Sequence, residues 1–155
     1  MKKLFFLIAT CMMMGCAVAP TASLKAEKVI EMPGVSKDDL FIRANEWATK
    51  QFRFPESVIE YSDKDAGTIM GKYTTDYSMK GHATRTLQTM IIEIKDEKVR
   101  ITIEDPWYRY IANPSYRKQV LADRALTLVK KRWDETIISF EETLKNATTT
   151  RKNEW

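Results

Sequence analysis

The chain is poor in the residues that build metal centres, redox centres and repetitive architectures. Among 155 residues there is one histidine, His82, and there are two cysteines, Cys11 and Cys16. That leaves almost nothing for a zinc or iron–sulfur site, and no cofactor is expected. Five glycines and five prolines exclude collagen-like and linker-dominated chains. No apolar run approaches the roughly 20 residues that a helix needs to cross a bilayer. Nucleophile elbows, zinc-protease helices and phosphate-binding loops are all missing. What remains is globular composition, 44% hydrophobic and 30% charged, in a length that suits one domain.

The first residues read as an address. Lys2 and Lys3 precede an eleven-residue apolar run, Leu4 to Met14, which Gly15 ends. The run fits the hydrophobic part of a secretory signal and is too short for a transmembrane anchor. The end of the run, Met13-Met14-Gly15-Cys16, resembles the lipobox of bacterial lipoproteins. By that resemblance residues 1–15 are a signal peptide, and Cys16 becomes an acylated N-terminus that binds the protein to a lipid bilayer. Cys11 follows Thr10 rather than a small residue and is the poorer candidate. Ala17 follows Cys16, so the acidic residue that retains such lipoproteins at the inner membrane is missing. The expected location is the periplasmic face of the outer membrane. Loss of Lys2 and Lys3 with the signal lowers the net charge from +4 to +2, which weakens any electrostatic case for nucleic acid.

Residues 16–26 are small, polar and proline-containing, and read as a tether. Residues 27–147 are expected to form a single domain, and residues 148–155 a flexible tail. Lys28 to Met32 is a short β-type run, broken by Pro33-Gly34. Ser36 suits a helix cap, and Leu40, Phe41, Ala44, Trp47, Ala48 and Phe52 recur at helical spacing through Lys37–Phe52. Four extended runs follow, at residues 57–62, 68–77, 85–95 and 99–104, separated by turn chemistry around Asp65-Ala66-Gly67, Lys80-Gly81-His82 and Asp96-Glu97-Lys98. Asn113-Pro114 reads as a cap for a last helix that begins near Ser115 and ends near Lys145. Its apolar stripe is Leu126, Val129, Trp133, Ile137, Phe140 and Leu144. The expected fold is α+β: a two-layer domain of order β-α-β-β-β-β-α, with a five-stranded antiparallel sheet and two helices on one face.

That order is similar to one half of the TATA-binding-protein fold. The chain also resembles a family of Bacteroidetes lipoproteins, a domain of unknown function with a TATA-binding-protein-like fold. The resemblance rests on KVIEMPGVSKDDLFIRANEWATKQF, on the Asp-Ala-Gly turn in SDKDAGTIMGKY, and on TLQTMIIEIKDEKVRITIED. It implies a fold and a location, and it carries over no catalytic residue. DNA binding does not come with the fold.

Three readings of function follow from the residues. The first is a non-enzymatic binding or protein-interaction module of the envelope. Trp107, Tyr108, Arg109, Tyr110 and Tyr116 are its candidate binding residues, because aromatics interleaved with arginine are common interface anchors. Its partner would be an unidentified envelope protein or ligand. A second apolar sheet face would also allow a homodimer through the sheet. The exposed set would be Thr68, Met70, Lys72 and Thr74, or the opposite residues. The second reading is an enzyme acting on envelope glycans or peptides through Glu104, Asp105 or His82. The third is a structural envelope protein whose last helix rests basic residues, from Arg117 to Arg132, on anionic lipid. Asp63 and Asp65 could open a Ca²⁺ loop, but the other ligands of such a loop are missing, and a hairpin turn is expected there.

Overall fold

A computed structural model describes residues 24–52, 57–79, 82–110, 113–119 and 123–150. Residues 1–23, with the expected signal peptide, Cys16 and most of the expected tether, and residues 151–155 lie outside the described residues.

The elements are β1 (Lys25–Glu31), α1 (Lys37–Gln51), β2 (Val58–Asp63), β3 (Thr68–Met79), β4 (His82–Lys95), β5 (Lys98–Tyr110), β6 (Asn113–Gln119) and α2 (Asp123–Thr150). The architecture is the expected α+β arrangement with one additional strand. β1 begins at Lys25, inside the segment read as tether, and α2 runs to Thr150, past the expected domain end.

Helix α1 starts where its sequence says it should. Ser36 is the cap, and its hydroxyl accepts from the Asp39 amide at 3.2 Å. Asp38 and Asp39 place negative charge in the first turn, where the helix dipole favours it. Leu40, Phe41, Ala44, Trp47 and Ala48 form the buried face.

The sheet order is β1-β5-β4-β3-β2, and β6 also pairs with β5. All pairings are antiparallel. β4 lies along one side of β5 for almost its whole length. The other side of β5 is shared: β1 covers Lys98–Glu104, then β6 covers Trp107–Tyr110. The hand-over falls at a bulge. Thr89 pairs with Glu104 and Leu87 with Trp107, so Asp105 and Pro106 together face the single residue Gln88. Asp105 takes φ 52°, and its amide donates to the Leu24 carbonyl at 3.3 Å.

β6 corrects the expected start of the last helix. Asn113-Pro114 can cap a helix locally, yet residues 113–119 pair with the far end of β5, which would otherwise be an open edge. The helical apolar stripe begins only at Leu126, so nothing upstream of it drives helix packing. The sequence also ended the fourth extended run at Glu104 and put a turn at His82. β5 instead continues to Tyr110, and His82 is the first residue of β4.

Both helices pack on one face of the sheet. The core holds Ile69, Met90, Ile92, Ile94, Val99, Ile101 and Ile103 from the strands, against Leu40 and Trp47 of α1 and Val129, Trp133, Ile137, Phe140 and Leu144 of α2. The predicted α2 stripe is therefore the buried one. Trp47 and Phe140 join the helices with ring centroids 4.7 Å apart.

Candidate functional site

Among the described residues the helices cover one face of the sheet, and nothing covers the other. Burial settles which side chains face out. Ile69 and Tyr73 of β3 are in the core, whereas Thr68, Met70 and Lys72 belong to the other face and are partly exposed. Thr74 shares their phase but is buried, where its amide and hydroxyl both meet the Ser57 hydroxyl.

Strand register arranges the open face in rows. One row runs Asp63, Thr68, Glu93, Arg100 and Val29; the next runs Tyr61, Met70, Ile91, Thr102 and Glu27. Apolar side chains thus stand among charges. Val29 is 50% exposed, Tyr61 45%, Val58 46% and Trp107 47%. Arg100 of β5 grips Glu93 of β4 with two nitrogens at 2.7 Å. That pairing holds the Glu93 carboxyl below its ordinary range and raises the guanidinium. Val29, Glu31, Glu93, Lys95, Lys98 and Arg100 line a shallow groove of about 230 Å³. Farther along, Lys72 donates to Thr89 at 2.9 Å, and Arg85 pairs with Asp76 at 2.6 Å. The groove is shallow, and carboxylates and cations share its lining.

The predicted binding residues lie on two paired strands. Trp107, Tyr108, Arg109 and Tyr110 are consecutive on β5, and Tyr116 lies on β6. Register sets Trp107 opposite Leu87 and Gln119, and Arg109 opposite Arg85 and Arg117. The junction that looked like a loop between strand and helix is therefore part of the sheet. Cys16 lies outside the described residues.

Of the residues of the enzyme reading, His82 is separated from the two carboxylates. Glu104 pairs with Thr89, and His82 begins β4 seven residues away, about 23 Å along the strand. Asp105 is exposed at the bulge. The carboxylates near Gly67 make a turn. Asp63 accepts from the Ala66 amide at 2.8 Å and from the Tyr61 hydroxyl at 3.0 Å. The Ala66 hydrogen bond first, then that of Tyr61, holds its carboxyl below the ordinary range. Among the described residues no three His, Cys, Asp or Glu are placed to hold a metal ion. The basic run also divides. Arg117 and Lys118 are on β6, while Lys130, Lys131 and Arg132 are exposed on α2, where Arg132 pairs with Glu135 at 2.7 Å. Among the described residues no helix is long and apolar enough to cross a membrane.

Residues 27–109 match the model of a domain of unknown function, DUF4468, with a TBP-like fold. The chain belongs to this family. The DUF4468 chain is similar in fold to a TBP-like protein from Parabacteroides distasonis, with a TM-score of 0.62 and 18% identity over 85% of this chain and 99% of that one. It is also similar to a DUF4468 family protein from Bacteroides ovatus, with a TM-score of 0.54 and 15% identity over 86% of this chain and 88% of that one. At these identities the likeness is one of fold alone. No curated protein matches the chain.

Two features escaped the sequence reading. The Arg100–Glu93 pair with Val29 was hidden because the strand phase was open. Gln88 was hidden because its burial depends on the helix above it.

Proposed function

We propose that this DUF4468 chain is a lipid-anchored lipoprotein at the periplasmic face of the outer membrane. Its domain serves as a non-enzymatic docking module that offers the open face of the sheet to a second envelope protein. The observation that carries this reading is the uncovered sheet face, where Val29, Tyr61, Val58 and Trp107 stand about half exposed among charged neighbours. Apolar anchors ringed by polar groups are the usual make-up of an interface. The lipobox at Met13–Cys16 supports the anchor, and Ala17 supports the outer membrane.

The test places a photo-crosslinking residue at Val29 on the open face, or at Ile138, 52% exposed on α2, in the acylated protein in cells. A protein adduct is expected from position 29 and not from position 138. An adduct at twice the chain mass identifies a second copy as the occupant in place of another protein. No adduct from position 29, or equal adducts from both, overturns the reading. Labelled palmitate is expected to enter the wild type and not Cys16→Ala; label in that variant removes the anchor.

A further inference from the structure

The inward face of the sheet changes character along its strands. Near the β4–β5 turn it is apolar, with Ile69, Ile92, Ile94, Val99 and Ile101. Farther along, its inward residues are Thr75, Thr84, Thr86 and Gln88, none more than 9% exposed. Thr75 and Thr86 bond to each other at 2.6 Å. Gln88 is 1% exposed, yet neither its amide nitrogen nor its oxygen has a hydrogen-bond partner. Trp133, fully buried on α2, has an unpartnered indole N–H.

These two groups belong to facing layers of the same part of the core. Gln88 lies opposite Tyr73 in register. The Tyr73 hydroxyl meets Thr136 at 3.1 Å, and Thr136 is one helical turn beyond Trp133. Gln88 is also the residue that faces the Asp105-Pro106 bulge. Bulges re-aim side chains and are frequent beside sites, and Asp105 holds a left-handed φ to make this one. An unpaired carboxamide and an unpaired indole N–H in one core are costly, and leucine and phenylalanine would fill such positions without that cost.

We infer that Gln88 and Trp133 mark an interior binding site between the sheet and α2 for a small uncharged ligand with a carboxamide-like edge. Such an edge accepts from Trp133 Nε1 and Gln88 Nε2, and donates to Gln88 Oε1. The buried polar groups around the site are hydroxyls, the amide and the indole, and the charges that reach Tyr73, Arg132 and Glu135, are exposed and paired with each other, so a charged ligand would be desolvated without a buried counter-charge. Arg43, buried on α1, directs Nη1 to the Leu144 carbonyl. The site is on the opposite side of the sheet from the proposed docking face, so either can fail without the other.

The test follows the Gln88 side-chain amide and Trp133 Nε1–H by NMR in the domain with its full mature sequence. Acetamide, 2-pyrrolidone and benzamide are the probes. At least one is expected to shift both resonances saturably. Trp47 Nε1–H, which already donates to Ser139, is expected to stay still. Gln88→Leu is expected to bind the responding probe about tenfold more weakly or worse and to melt no lower than the wild type. Trp133→Phe keeps the ring, serves if the first variant does not fold, and is expected to weaken the same probe. The site is overturned if no probe moves both resonances, if a bound water at both groups resists every probe, or if Gln88→Leu binds as well as the wild type.

Discussion

Arg43 of α1 donates from Nη1 to the main-chain carbonyl of Leu144 on α2, 3.0 Å away, and both residues are buried. The bond crosses the helix–helix contact that Trp47 and Phe140 also occupy. A charged donor in a buried hydrogen bond contributes more than a neutral one. Arg43→Met keeps the aliphatic stem and removes the donor. It is expected to lower unfolding stability by about 2 kcal/mol, read from urea denaturation. Unchanged stability would mean that the guanidinium adds nothing to the packing of its stem.

Two glycines with positive φ are expected to respond differently to alanine. Gly67 has φ 68°, and a Cβ there would lie 2.4 Å from the Ile94 carbonyl oxygen. Its own carbonyl accepts from the Ile94 amide at 2.7 Å, so the two segments cannot separate freely. Gly34 has φ 76° and open space around it. Gly34→Ala should cost only the left-handed backbone strain, about 1 kcal/mol. Gly67→Ala adds a backbone clash and should cost about 3 kcal/mol. Thermal melts of the two variants give the comparison. Equal losses would show that the turn at Gly67 yields.

The contrast between what the sequence disclosed and what it hid has a physical pattern. Local periodicity was sufficient for α1 and for the α2 stripe from Leu126 to Leu144, because one buried helical face imposes its own spacing. Turn chemistry located the ends of β2 and β3 and the β4–β5 turn. The sheet phase was ambiguous because Met70 and Ile91 alternate with Ile69 and Ile92, so both faces carry apolar residues. β6 was masked by the Asn113-Pro114 cap signal, which is local, while the demand for a partner along Trp107–Tyr110 is not. The same local signal made the segment from Trp107 to Tyr116 look like a junction, although most of it belongs to β5 and β6. The Asp105-Pro106 bulge opposite Gln88 is visible only in the strand register.

Acid should loosen the contacts between layers and between strands. Glu141 on α2 receives Lys145 and Lys28, the latter reaching from β1, and both hold its carboxyl below the ordinary value of 4.5. Arg100 does the same for Glu93. A carboxyl whose folded pKa is depressed stabilises the fold above its unfolded pKa, and that contribution is lost as pH falls through the folded value. The melting temperature is therefore expected to decline from about pH 4.5 downward. Glu141→Gln should flatten that decline. At the other end, burial pushes the Tyr73 phenol above its ordinary 10.0, with partial relief from Thr136. The neutral phenol favours the fold below pH 10.0, and this contribution is lost as pH rises through the folded value. Phenolate absorbance and melting against pH check both limbs, and a profile without an acid limb would contradict the assignment to these pairs.

Trp107 provides a test of the docking face that separates folding from contact. It is 47% exposed, opposite Leu87, just past the bulge. A half-exposed side chain contributes little to the core, so Trp107→Ala should cost about 1 kcal/mol or less in stability. An aromatic anchor in an interface, by contrast, commonly costs about 2 kcal/mol of binding when truncated, roughly thirtyfold in affinity. The variant should therefore keep its circular dichroism and its melting temperature within a few degrees while losing most of the adduct formed from position 29. Loss of fold together with adduct would make Trp107 a structural residue. A full adduct on a stable fold would confine the interface to the rows around Val29, Tyr61 and Arg100.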